Sequence, residues 1–258
     1  VTPAGSQWGN RTIPEGGEVD LSFGPLACAF RREGDELWIR TSGGEAPEVA
    51  TEGADWARWA LPPGDGGRIH LAPALPDRLV VVKPQASFQL IPGASARVYV
   101  RVPVHVVVRH GGVGGSLLAE FPTMRMSDTW WGDLEDGTLG YWLSTHARRV
   151  LTPDLVEPHL AICTLDLSNR SRETLPVEKI ALRVSHLSLF AAGEGLWCDE
   201  VQVTWSGGDD SAIDMSGEVP VEARGAQLLA PPRHPVDRGI RARTFARIRG
   251  LPGFAGMA

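Results

Sequence analysis

Three carboxylates, Asp128, Asp133 and Asp136, fall within nine residues and share a short stretch with Trp130, Trp131 and Trp142. An indole face beside acid hydrogen-bond acceptors suits a sugar, a cation or a partner peptide. Three close carboxylates could also hold Ca²⁺, but the ligand alternation of a calcium loop is absent. The plainer assignment is that the tryptophans fill a core and the acids keep a turn soluble. Ser144, Thr145 and His146 are consecutive, as are Ser185 and His186. Strand neighbours point to opposite faces, so neither group is a ready nucleophile and base. No GxSxG, HExxH, CxxC or zinc-ligand spacing occurs. No catalytic residue, metal or cofactor is therefore expected.

These residues need an element to hold them, and residues 120–149 read as a β-hairpin with an acidic tip. Its second strand places Leu139, Tyr141, Leu143 and Thr145 on one face, with Gly140, Trp142 and Ser144 on the other. Glu135, Asp136 and Gly137 predict a three-residue loop with Gly137 at positive φ. Asp133 and Gly137 should then determine the tip. Trp130 and Trp131 must point to opposite faces. One lies on the less buried side, where Trp142 is placed to join it across the pair.

The chain of 258 residues suffices for one large β domain or two smaller ones. Its 30 glycines and 20 prolines punctuate short apolar runs, which predicts many turns and strands. A net charge of −6 argues for solubility and against general nucleic-acid binding. Lys83 and Lys179 are the only lysines, and Asn10 and Asn169 the only asparagines. That bias fits a GC-rich genome and a hot habitat. Cys28, Cys163 and Cys198 cannot all pair within the chain, and each sits in an apolar run. Three buried, reduced thiols in a cytoplasmic protein are expected. No apolar run approaches the roughly 20 residues that span a bilayer, so no direct membrane insertion is expected. No signal-peptide pattern is visible, although a chain opening at Val1 is compatible with a removed leader.

In chain order, residues 1–17 read as a loose arm and 19–23 as the start of a strand. Residues 26–32 and 36–41 read as a hairpin, and 56–61 as strand or short helix. Three short strands follow at 68–72, 78–82 and 87–91. The strongest strand is 97–108, with Val98, Val100, Val102, Val104, Val106 and Val108 on one face. Pro103 cannot donate to a ladder, so this strand is an edge there, is bulged, or passes between two sheets. His105, on the second face, reads as a polar residue at a half-exposed position. The run HGGVGGS at 110–116 reads as a linker and a candidate domain boundary. Strands are expected at 160–167, 177–188 and 197–205. Residues 239–250 alternate, with Arg241, Arg243, Phe245, Arg247 and Arg249 on one face. The arginines either protect a late edge strand or form a docking strip. Such a strip would take an acidic partner, phosphates or the acidic tip of a neighbouring subunit.

The hairpin also carries a family resemblance. Phe121-Pro122-Thr123, Arg125 and Ser127, then Thr129 to Asp133, then Gly137, Leu139 and Tyr141, and finally Thr145 with Ala147-Arg148 match an ordered motif set. The set resembles that of the mostly archaeal domain of unknown function 432. The segment LSNRSRETLPVEKIALRV and the Leu196-Trp197 pair fit too, so the resemblance spans roughly residues 96–205. The chain lacks the cysteine associated with the family's G-x-L-x-Y segment, which argues against a catalytic thiol there. The resemblance implies that the hairpin matters and implies no activity. It also leaves a membrane-protein partner open.

These readings predict an all-β protein of two β-sandwich-like halves with short, mainly antiparallel strands. An N-terminal β domain would cover 1–112, and a C-terminal β-sandwich domain with the hairpin 113–258. The expected function is a non-catalytic binding or protein-interaction module that works with a protein partner or by self-association. The alternative is a carbohydrate-binding or carbohydrate-handling protein with a Trp platform. Asp128, Trp130, Trp131, Asp133, Asp136 and Trp142 are the expected contact residues. Arg241, Arg243, Arg247 and Arg249 form the expected anionic-partner strip.

Overall fold

The structure, a computed structural model, describes residues 5–44, 56–64, 66–215, 217–235 and 239–246. Short strands follow one another with turns between them. The first ten are β1 (Gly9–Thr12), β2 (Glu18–Phe23), β3 (Leu26–Glu33), β4 (Glu36–Ser42), β5 (Ala57–Ala60), β6 (Arg68–Ala74), β7 (Val80–Pro84), β8 (Phe88–Leu90), β9 (Ser95–Pro103) and β10 (His105–His110). The middle of the chain forms β11 (Leu117–Pro122), β12 (Ser127–Trp131), β13 (Thr138–Ala147) and β14 (Leu160–Asn169). Then come β15 (Leu175–Val177), β16 (Lys179–Leu182), β17 (Leu189–Ala192), β18 (Gly195–Cys198), β19 (Val201–Trp205) and β20 (Asp210–Met215). Last are β21 (Gln227–Ala230), β22 (Ile240–Arg243) and β23 (Phe245–Ala246). The helical residues are short 3₁₀ turns. No described helix is long and apolar enough to cross a membrane.

The fold is all-β and sandwich-like, with mainly antiparallel pairing. One sheet runs β2-β3-β4-β5, a second β1-β6-β10-β11, and a third β12-β13-β7-β16-β23. The largest runs β21-β17-β18-β14-β19-β20-β22, with β9 on the other edge of β14. β8 and β15 form a small ribbon. Among the described strands, β13 pairs in parallel with β7, and β14 with β18 and β19. Residues 111–116 form the turn of the β10–β11 hairpin, and among the described residues four of the five sheets combine strands from before and after Gly112.

The valine stripe explains how the sheets are joined. All six valines are fully buried. The expected single strand over 97–108 is instead two. β9 pairs with β14, whereas β10 pairs with β6 and β11. Pro103 stands at the change, where its missing N–H costs no ladder bond, so the chain passes between two sheets. Thr123 fastens the crossing, since its N–H and its hydroxyl both donate to the Val104 carbonyl. Two other expected strands are divided as well. Residues 177–188 break into the end of β15, β16 and a 3₁₀ turn at Val184–His186. Residues 197–205 become β18 and β19, end to end along one edge of β14. Residues 57–60 are strand.

All three cysteines are buried and unpaired. The sulfurs of Cys163 and Cys198 are 2.8 Å apart on the adjoining strands β14 and β18. Burial pushes the Cys28 thiol up to about 12, which suppresses thiolate chemistry there. Titration of the unfolded, unreduced protein should count three thiols. A count of one would show that Cys163 and Cys198 had joined.

Candidate functional site

The expected hairpin is present, with Ser127 opposite Trp142 and Trp131 opposite Thr138. Its connection runs from Gly132 to Gly137, longer than the expected three residues. Gly137 is not at positive φ; Gly132 is, at 113°. Gly137 is required for space instead. A Cβ there would lie 2.1 Å from Trp130 Nε1 and 2.5 Å from the Asp133 carbonyl oxygen.

The two adjacent tryptophans diverge as strand geometry demands. Trp131 is 5% exposed and packs with Leu79, Val81 and Ala181, with Trp142 and Ala246 against them. Trp130 is 51% exposed, and its indole N–H donates to the Asp133 carbonyl at 2.8 Å. Trp142 lies on the Trp131 face, not beside Trp130, because its register partner is Ser127. The six expected contact residues are thus divided between two faces and do not form one platform. Asp128 accepts from Arg78 at 3.2 Å, and the Arg78 guanidinium stacks over Tyr141. Asp136 is exposed at the tip.

The expected arginine strip is also divided. β22 pairs with β20, β23 pairs with β16, and buried Thr244 separates them. Arg247 and Arg249 lie outside the described residues. Arg241 is exposed. Arg243 bonds to Asp133 at 2.9 Å and Asp209 at 3.0 Å, and its carbonyl accepts the Trp131 indole N–H. The acidic tip therefore meets the arginine strip within one chain. This contact ties the edge strand β12 to the β22–β23 junction, so the five-stranded sheet curls around Trp131.

The family model described as "Protein of unknown function (DUF432)" matches residues 7–249. The chain belongs to that family. No curated protein and no solved structure gives a match. Several motif residues that carried the resemblance act as fasteners. The Thr145 hydroxyl donates to the Arg101 carbonyl, and the Arg148 backbone exchanges two hydrogen bonds with Tyr99. The Tyr141 hydroxyl donates to Asp77. Asn169 is fully buried, donates to the carbonyls of Leu90 and Glu173, and accepts from Ser171. These contacts hold the hairpin and the 169–173 turn against the strands that carry the core.

Two polar clusters escaped the sequence reading. His105 is buried rather than half-exposed, and its Nδ1 lies 2.6 Å from Glu120. Arg233 grips the same carboxylate and also donates to the Leu75 carbonyl. Burial opposes ionisation of Glu120, but these two partners hold its carboxyl at about 2. Arg97 gathers Asp166, Glu200 and Glu222, and Tyr99 donates to Glu222. Burial and the neighbouring Glu200 raise Asp166, while hydrogen bonds from Tyr99 and Arg97 outweigh burial and lower Glu222. Neither cluster places a serine, threonine or cysteine against a base. Thr145 and His186 are engaged with backbone carbonyls. Among the described residues no group of His, Cys, Asp and Glu converges as a metal set.

Proposed function

We propose that this chain is a non-catalytic interaction module that docks through the tip of the β12–β13 hairpin. The observation that carries the reading is a cluster of large apolar side chains left uncovered on an anchored frame. Trp130 is 51% exposed, its direct cross-strand partner Leu139 41%, and Leu134 94%. Clustered exposed apolar side chains mark interaction sites, and Trp is prominent among interface hot spots. The Asp133–Arg243 pair and the two indole hydrogen bonds hold the tip in one shape, so docking would sacrifice little conformational freedom. A second copy of the chain is the self-complementary occupant for such an apolar tip, which could meet its own equivalent across a two-fold axis. Three buried unpaired thiols support a cytosolic setting.

Sedimentation of the wild type should show a concentration-dependent dimer that persists in high salt. The Leu134→Ser/Leu139→Ser variant should stay monomeric with unchanged stability. A wild type that is monomeric at about 100 μM, with no difference in the variant, would remove self-docking. The exposed Trp130 ring beside Asp128 also favours a second reading, sugar binding. A defined glycan retained on an array by wild type and lost with Trp130→Ala would replace the protein partner by a carbohydrate.

A further inference from the structure

β7 and β13 run parallel and end together, with Pro84 opposite Ala147. Gln85 adds a last rung, its N–H donating to the Ala147 carbonyl at 2.9 Å. The two segments then part. One continues into β8 of the small ribbon, and the other is drawn to β9 by the backbone exchange between Arg148 and Tyr99. Parallel strands whose exits diverge leave a crevice beyond their carboxyl ends, and in α/β sheets ligands occupy that crevice. Here a cleft of about 210 Å³ opens at the same position. Residues 84–86 form one wall, and residues 147–150 with Thr152 form the other.

The charge lining this cleft has one sign. Arg148 and Arg149 line it, and no carboxylate does. Arg148 lies 3.9 Å from Asp154, which offsets part of its charge from outside the cleft. Arg149 forms no ion pair among the described residues. Its guanidinium lies 5.0 Å over the Phe88 ring, so the segment leaving β13 reaches across to β8. Stacking engages the face of a guanidinium and leaves its N–H edge for an acceptor. Gln85 and Thr152 add an amide and a hydroxyl, while Ala86 and Val150 add apolar surface.

We infer that this cleft binds a small organic acid, its carboxylate on the Arg149 guanidinium and its carbon body against Ala86 and Val150. With Arg148 partly answered by Asp154, the excess is close to one positive charge, which matches a monoanion. The planar fork of a guanidinium matches the two oxygens of a carboxylate. The cleft is smaller than the usual pocket for a drug-sized ligand, so it suits a short-chain acid. The Gln85 amide and the Thr152 hydroxyl suit a hydroxyl group beside the carboxylate. The site lies at the opposite end of β13 from the hairpin tip, about 30 Å along the strand, and does not rest on docking there.

The test is calorimetric titration of the full chain with butyrate, 2-hydroxybutyrate and inorganic phosphate. Saturable binding of at least one acid is expected at millimolar concentration, weakening as salt rises. Arg149→Gln should weaken it by at least about tenfold, and this exposed substitution should leave the melting temperature close to that of the wild type. Ala86→Phe keeps both arginines but fills the cleft, so it should abolish binding as well. Binding retained in Ala86→Phe would place the acid outside the cleft and overturn the inference. No saturable binding of either acid up to about 50 mM would overturn it too, and so would equal affinity in Arg149→Gln. Phosphate binding more tightly than both acids would overturn the carboxylate assignment.

Discussion

Gly137→Val is expected to lower the unfolding free energy by about 3 kcal/mol, with alanine costing nearly as much. The cause is collision, since a Cβ would come 2.3 Å from Trp130 Cε2 as well as 2.1 Å from Nε1. The indole could swing away only by giving up its bond to the Asp133 carbonyl, and that carbonyl is itself in the way at 2.5 Å. Loss of the tip geometry should also loosen the Asp133–Arg243 pair that closes the curled sheet. For a chain of this size the melting temperature should fall by about 6–10 °C. Adding Trp130→Ala should recover part of the loss, which a double-mutant cycle would read as coupling between the two positions. An unchanged melting temperature for both glycine variants would refute the steric account.

Glu120→Gln is expected to cost about 2 kcal/mol near neutral pH, because Arg233 and His105 would keep their partly buried places without the charge they share. Lowering a carboxyl from 4.5 to about 2 corresponds to at most ~3 kcal/mol, and the 25% of the side chain still exposed reduces that figure. The sign follows from a depressed folded-state value. The stabilisation is complete above about 4.5 and disappears as pH falls toward about 2. Urea denaturation of wild type and variant across that window should therefore show two curves that converge on acidification. A gap that stays constant with pH would show that the carboxylate charge contributes nothing.

Much of the architecture was legible because period-two alternation is a local property. The valine stripe, the first hairpin and the β12–β13 hairpin all follow from side chains alternating across a strand. Pro103 narrowed its strand to three choices for a local reason, the missing donor. Alternation has no term for where one sheet ends and another begins. Residues 177–188 and 239–246 carry good alternation, yet turn at Arg183 and Thr244, because the neighbouring strand changes there. The Gly137 expectation failed differently. Turn chemistry alone suggested a left-handed glycine, whereas the folded tip needs the absence of a side chain beneath Trp130.

By itself the sequence determined the fold class, the hairpin that organises the middle of the chain, the family and the opposite facing of Trp130 and Trp131. Each rests on composition, period or an ordered motif. Only the tertiary structure decided which side chains from distant segments meet. Glu120 and Arg233 are 113 positions apart, and Asp133 and Arg243 are 110. Lys83 and Lys179 become neighbours only through the register of β7 on β16. Such pairings depend on long-range register, which the packing of the buried faces selects. A polar side chain on the other face follows without leaving any local trace in the sequence.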